Sequence, residues 1–141
     1  MLVASITNAQ QVIEAPTKDE SNVEEAYSEI SEEVKQKTTE EIIAEQFKDT
    51  PIMKKIAYCE SRYRQFNENG TVLRGFVNSQ DVGVMQINEK YHLADSKKLG
   101  YDIYTLEGNV DYAKHLYRTQ GVKPWVHSSK CWDASNQFAL R

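Results

Sequence analysis

The sequence predicts an α+β fold, mostly helical, with a small irregular β-hairpin region and an acidic helical or disordered N-terminal arm. Three observations predict it. Apolar residues recur at helical spacing in several separate segments. A stretch between Phe66 and Asn88 carries turn and strand signals instead. Acidic residues crowd between Glu14 and Lys48, whereas nearly all the tyrosines, both tryptophans and both cysteines follow Lys54. The 141 residues suit one domain of roughly 100–150 residues plus a tail. The predicted layout is residues 1–22 as a disordered linker or signal remnant, 23–49 as an acidic helical arm, and 50–141 as the domain.

Met1 to Ala9 lacks a basic n-region, yet Leu2, Val3, Ala4 and Ile6 before Thr7-Asn8-Ala9 resemble an h-region running into a small-residue cleavage site. A trimmed export signal is the hypothesis. Gln10 to Asn22 contains Pro16 and few large apolar groups, the composition of a linker. Val23, Tyr27, Ile30 and Val34 then mark one helix face, set among glutamates. Such a face either zips onto a protein partner or packs loosely on the domain.

Thr38 followed by Glu41 has the form of a capping box for a short helix anchored by Ile42, Ile43 and Phe47. Thr50-Pro51 restarts the chain, with threonine as cap and proline at the first helical position, and this helix should run from Pro51 to Arg64. Asn69-Gly70 marks a turn before the strand-like run Val72–Val77. The segment from Val82 to Glu89 follows, then a helical stretch around Leu93 to Leu99. Thr105 caps a longer helix with Leu106, Val110, Ala113 and Tyr117 on one face, and Gly121 ends it where a left-handed residue is wanted.

A net charge of −4 and a pI near 5.4 argue against a nucleic-acid binder, which needs a basic face to neutralise phosphates. No segment approaches the roughly 18 apolar residues of a membrane span. Cys59 and Cys131 lack the spacing of zinc or redox motifs, which leaves a disulfide or two buried thiols. A disulfide over so long a loop contributes on the order of 4 kcal/mol and presumes an oxidising compartment. His92, His115 and His127 are dispersed over different elements, so neither a metal site nor a cofactor is expected.

Glu60 is the candidate catalytic residue. On a helix from Pro51, Ile52, Ile56, Cys59 and Tyr63 form an apolar stripe with Glu60 on its flank. Desolvation there raises a carboxyl pKa, and a protonated carboxyl is what cleavage of a glycosidic bond requires. Taken alone, a flanking glutamate is usually a rim residue covering the core. Read with Gly83-Val84-Met85-Gln86-Ile87-Asn88 and with Asn109, Tyr112 and Ala113, however, the pair Glu60-Ser61 resembles the lytic transglycosylase catalytic domains of the lysozyme-like superfamily. The likeness covers roughly Ile52 to Trp132, and the Cys131-Trp132 end is similar to the resuscitation-promoting-factor branch. The family's late Tyr-Asn-Ala-Gly segment is absent after Asn109, and Trp125 stands as a candidate for that part of the cleft.

The resemblance implies a lysozyme-like domain and an extracytoplasmic protein, secreted, periplasmic or wall-associated. Its partner is the glycan strand of peptidoglycan, cut between N-acetylmuramic acid and N-acetylglucosamine. Glu60 is the implied acid, and Gln86, underpinned by Met85, is suited to N-acetyl recognition. Ser61, Asn78, Ser79, Asn109, Tyr112 and Trp125 complete the candidate substrate-binding set, with Tyr112 either orienting Glu60 or filling the core. A hydrolase needs a second carboxylate. Asp81 is the best placed, either in that role or as a helix cap, and Glu68 is next. Without one, the acetamido group assists and Glu60 then acts as base, giving a 1,6-anhydro product. The alternatives are a lysozyme-type muramidase and an inert wall-binding adaptor working through the acidic arm.

Overall fold

The computed structural model describes residues 36–133. Within that span the fold is mostly helical with a small antiparallel sheet, the α+β class the sequence predicts. In chain order the elements are α1 (Thr39–Gln46), α2 (Pro51–Ser61), β1 (Asp81–Val82), β2 (Ile87–Asn88), α3 (Glu89–Lys98), α4 (Leu106–Gln120), a 3-10 segment (Lys123–Ser128) and α5 (Ser129–Trp132). The expected linker or signal remnant and the stripe Val23–Val34 lie outside the described residues.

Helix α1 starts as its capping box predicts. The Thr38 hydroxyl accepts from the Glu41 N–H while the Glu41 carboxylate accepts from the Thr38 N–H. Although it falls within the span expected as an acidic arm, it contributes to the core, because Ile43 and Phe47 are buried in the same cluster as Met53, Ile56, Val110 and Leu116. The compact unit begins at Lys37, ahead of the expected boundary at residue 50. Two buried large side chains outweigh the acidic composition of the segment, since each stabilises by roughly 1.5–3 kcal/mol when removed from water.

Helix α2 has Pro51 at its start, but the Thr50 side chain makes no capping bond; only the Thr50 carbonyl is used, accepting from the Met53 N–H at 2.9 Å. The helix stops at Ser61 instead of Arg64, because Arg62 and Tyr63 take φ of 57° and 60° and turn the chain away. Its buried residues are Met53, Ile56, Ala57 and Ser61. The apolar stripe is thus rotated from the expected one, with Ile52, Cys59 and Tyr63 only partly buried at its edge. Small Ala57 and Ser61 on that face let another backbone segment approach, which larger side chains would prevent.

Asn69-Gly70 forms the expected turn, closed by Gly70 N–H to the Asn67 carbonyl at 3.0 Å. The run Val72–Val77 contributes only isolated bridges, Phe66 to Val72 and Arg74 to Val82, while the paired strands are β1 and β2 in register Asp81–Asn88 and Val82–Ile87. Phe76 and Val77 are fully exposed, so this run has no buried face to hold it in a sheet. Helix α4 begins with the Thr105 hydroxyl accepting from the Gly108 N–H and ends at Gly121 with φ of 63°. It supplies Val110, Tyr112, Ala113 and Leu116 to the core. The Cys59–Cys131 disulfide ties the end of α2 to α5. Among the described residues, no helix is long and apolar enough to cross a membrane.

Candidate active site

The residues around Glu60 are arranged by one tight turn, Val82–Gln86, whose backbone is held by four buried side chains. The Ser61 hydroxyl donates to the Val84 carbonyl at 2.8 Å. Gln65 accepts from the Val84 N–H at 2.8 Å and donates to the Tyr104 carbonyl at 3.0 Å. Asn109 accepts from the Met85 N–H at 2.9 Å and donates to the Val82 and Ile103 carbonyls at 3.0 and 2.7 Å. The Trp125 indole N–H donates to the Met85 carbonyl at 2.8 Å. Buried peptide groups that cannot reach water need such partners, so each side chain offsets a desolvation cost of roughly 1–3 kcal/mol.

Gly83 is required at the turn for two reasons. Its φ is +74°, and a Cβ there would sit 2.4 Å from Asn109 Nδ2 and 2.5 Å from Gln65 Oε1. Gln86 at the end of the turn also has positive φ, 47°, which an L residue adopts at a cost. Its amide donates to the Gly83 carbonyl at 2.9 Å. The strained backbone and this bond hold the Gln86 side chain at the wall of a cleft.

That cleft encloses about 320 Å³ and is lined by Glu60, Asn78, Asp81, Gln86, Trp125 and His127, together with Tyr91 and His92 from α3. It continues past Glu60 into a more open stretch walled by Phe76, Val77 and Ser128. Arg74 fixes this wall, donating to the Ser79 carbonyl and to both Glu89 carboxylate oxygens, at 2.8 and 3.3 Å to the latter. The Tyr104 hydroxyl adds a bond to Glu89 at 2.7 Å.

Glu60 projects from the last turn of α2 into the cleft, half-buried. Burial pushes its pKa above the ordinary carboxylate range; the hydrogen bond from Ser128 works against this, Asp81 adds to it and His127 opposes it. The Ser128 hydroxyl lies 2.5 Å from Glu60 Oε1 and accepts from the Trp132 indole N–H at 2.9 Å. Asp81 belongs to β1 and is no helix cap. Its Oδ1 accepts from the Asn88 amide at 2.7 Å and from the Asn78 amide at 3.4 Å.

Of the sequence-predicted residues, Glu60, Asn78, Asp81, Gln86 and Trp125 therefore meet at one cleft. Ser61, Met85 and Asn109 do not: they are buried behind it, supporting the turn with their backbone and side-chain bonds. Tyr112 is buried as well, and its hydroxyl pairs with His92 Nδ1 at 3.2 Å, so it positions a cleft histidine and not Glu60. Ser79 is exposed, lies outside the lining, and is used through its carbonyl. Glu68 is also exposed and outside the lining.

Sequence reasoning missed Ser128, His127, Tyr91 and His92 as cleft residues. For Ser128 a signal existed. A bond between Cys59 and Cys131 brings the residue one helical turn before Cys131 close to the one after Cys59. Among the described residues, no cluster of three or more His, Cys, Asp or Glu is placed to hold a metal ion. No family model matches the chain, and no curated protein or solved structure matches it either.

Proposed function

We propose that the chain is a peptidoglycan-cleaving lytic transglycosylase with a lysozyme-like catalytic domain, acting at the β-1,4 bond between N-acetylmuramic acid and N-acetylglucosamine. The observation that carries the reading is Glu60, a half-buried carboxyl with a raised pKa that lines both the enclosed and the more open part of the cleft. A carboxyl whose pKa is raised by burial holds its proton to higher pH and can give it to the bridging oxygen as the bond from C1 to that oxygen breaks. The substrate's acetamido oxygen stabilises the positive C1. Ionised Glu60 then takes the proton of the sugar's own 6-hydroxyl as that oxygen bonds C1, leaving a 1,6-anhydro end and consuming no water. Gln86 lines the same cleft, which supports a role for its amide in hydrogen-bonding an N-acetyl group.

A lysozyme-type hydrolysis is the second reading, and Asp81 favours it, since a second carboxylate shares the cleft with Glu60. The disulfide supports an extracytoplasmic location, where such bonds persist. Incubation of the oxidised protein with purified peptidoglycan, followed by mass spectrometry, separates the readings. Anhydro ends are the expected product. Reducing ends would assign the hydrolase, and intact strands would leave an adaptor that binds the wall without cutting it.

A further inference from the structure

We propose that Ser128 is a positioning residue whose hydroxyl turns between two acceptors, the Glu60 carboxylate and the Trp125 carbonyl, and so holds Glu60 in both its protonated and its ionised form. Ser128 Oγ lies 2.5 Å from Glu60 Oε1 and 3.0 Å from the Trp125 carbonyl oxygen, and it receives the Trp132 indole N–H at 2.9 Å. A hydroxyl has one hydrogen and two lone pairs, and an indole N–H can only donate. The Trp132 N–H therefore occupies one lone pair of Ser128, and it also reaches the Trp125 carbonyl at 3.2 Å, so that carbonyl keeps a donor when the Ser128 hydrogen turns away. The remaining hydrogen and lone pair are divided between Glu60 and Trp125.

When Glu60 is ionised, the Ser128 hydrogen points to its carboxylate, a charge-assisted bond. When Glu60 is protonated, its own O–H donates to the free lone pair of Ser128, whose hydrogen turns to the Trp125 carbonyl. Both arrangements are satisfied with no heavy atom moving. The device suits a single carboxyl that must be acid and then base, and in that respect it rests on the transglycosylase reading. In the first step the proton of Glu60 goes to the bridging oxygen, which keeps the electron pair of the broken bond. In the second the 6-hydroxyl proton returns to Glu60 as its oxygen bonds C1, and Ser128 loses no proton in either step.

The disulfide holds this geometry from both ends, because Cys59 adjoins Glu60 and Cys131 lies one helical turn after Ser128. The other groups facing Glu60 across the cleft are Asp81 from β1, His127 from the 3-10 segment, and Tyr91 and His92 from α3.

Ser128→Ala and Ser128→Thr in the full oxidised chain test the proposal, with thermal melts to verify folding. Infrared titration of the carboxyl band absent from Glu60→Gln reads the midpoint of Glu60, and muropeptide release reads turnover. The alanine variant should titrate at higher pH, since the bond favouring the carboxylate is gone. It should also lose about tenfold or more in kcat with KM little changed. Threonine keeps the hydroxyl and should restore both. A wild-type midpoint in Ser128→Ala, or a threonine variant that titrates like alanine, overturns the assignment. A wild-type protein that releases no muropeptides sinks the transglycosylase reading alone, because the midpoint still decides the role of Ser128.

Discussion

Replacing Asn109 with alanine should cost about 3–5 kcal/mol of stability. Asn109 is fully buried and spends its whole amide on three backbone groups, at 2.9, 3.0 and 2.7 Å. Without it the Met85 N–H loses its acceptor, worth about 1–3 kcal/mol in a site closed to water, and two carbonyls lose donors worth about 1 kcal/mol each. For a small domain with about 5–15 kcal/mol in total, that is a large share. With an m-value of roughly 1.5 kcal/mol/M, a loss of about 3 kcal/mol lowers the urea midpoint by roughly 2 M. Asn109→Asp sharpens the test: it keeps an acceptor for Met85 but aims a carboxylate oxygen at two carbonyls. Ionising that group in the fold is unfavourable, so its folded pKa is raised. The variant should weaken as pH climbs through the carboxylate range and recover in acid. If Asn109→Ala unfolds at the wild-type urea midpoint yet no longer cleaves peptidoglycan, the side chain binds substrate and the structural account is wrong.

Further outcomes follow from the same contacts. Removing the disulfide as Cys59→Ser/Cys131→Ser opens a loop spanning 72 positions, which the chain-entropy model values at about 4 kcal/mol, or roughly 20 °C in Tm; calorimetry of oxidised and double-serine forms checks it. Gly83→Ala, blocked at 2.4 Å and at positive φ, should destabilise by about 2–4 kcal/mol in urea melts. Glu60→Gln should be more stable than wild type at neutral pH. Its native carboxyl has a raised pKa, so the wild-type penalty appears as pH rises through the unfolded carboxylate range and vanishes below it. Parallel melts from acid to neutral pH would show the gap closing in acid.

Helix positions were legible where local chemistry is self-contained. The Thr38–Glu41 capping box, Pro51, the Thr105 cap and Gly121 all mark real ends. What sequence periodicity could not reveal was which face of α2 is buried, because that depends on a loop more than twenty residues away docking through Ser61 and Val84, 23 positions apart. The end of α2 was misplaced for a similar reason: the left-handed Arg62 and Tyr63 carry no glycine to announce the turn.

The candidate site divides along the same line. Glu60 and Gln86, read as parts of an ordered motif, stand at the cleft, and so does Asp81, which its position singles out as a second carboxylate. Asn109 and Met85 belong to the same motif, but they hold the turn together from behind. A polar residue that recurs near a site is equally suited to a ligand or to an unpaired peptide group, and only burial separates the two. Ser128 is the converse case, an unremarkable serine in sequence that becomes a direct partner of Glu60 through a disulfide and one helical turn.

The central claim is that Glu60 alone carries proton transfer to and from the sugar. Its most direct test is the muropeptide profile of peptidoglycan exposed to wild type and to folded Glu60→Gln at matched concentration. Wild type should release 1,6-anhydro muropeptides and the variant none above background. Fragments released by Glu60→Gln at the wild-type rate would contradict that claim.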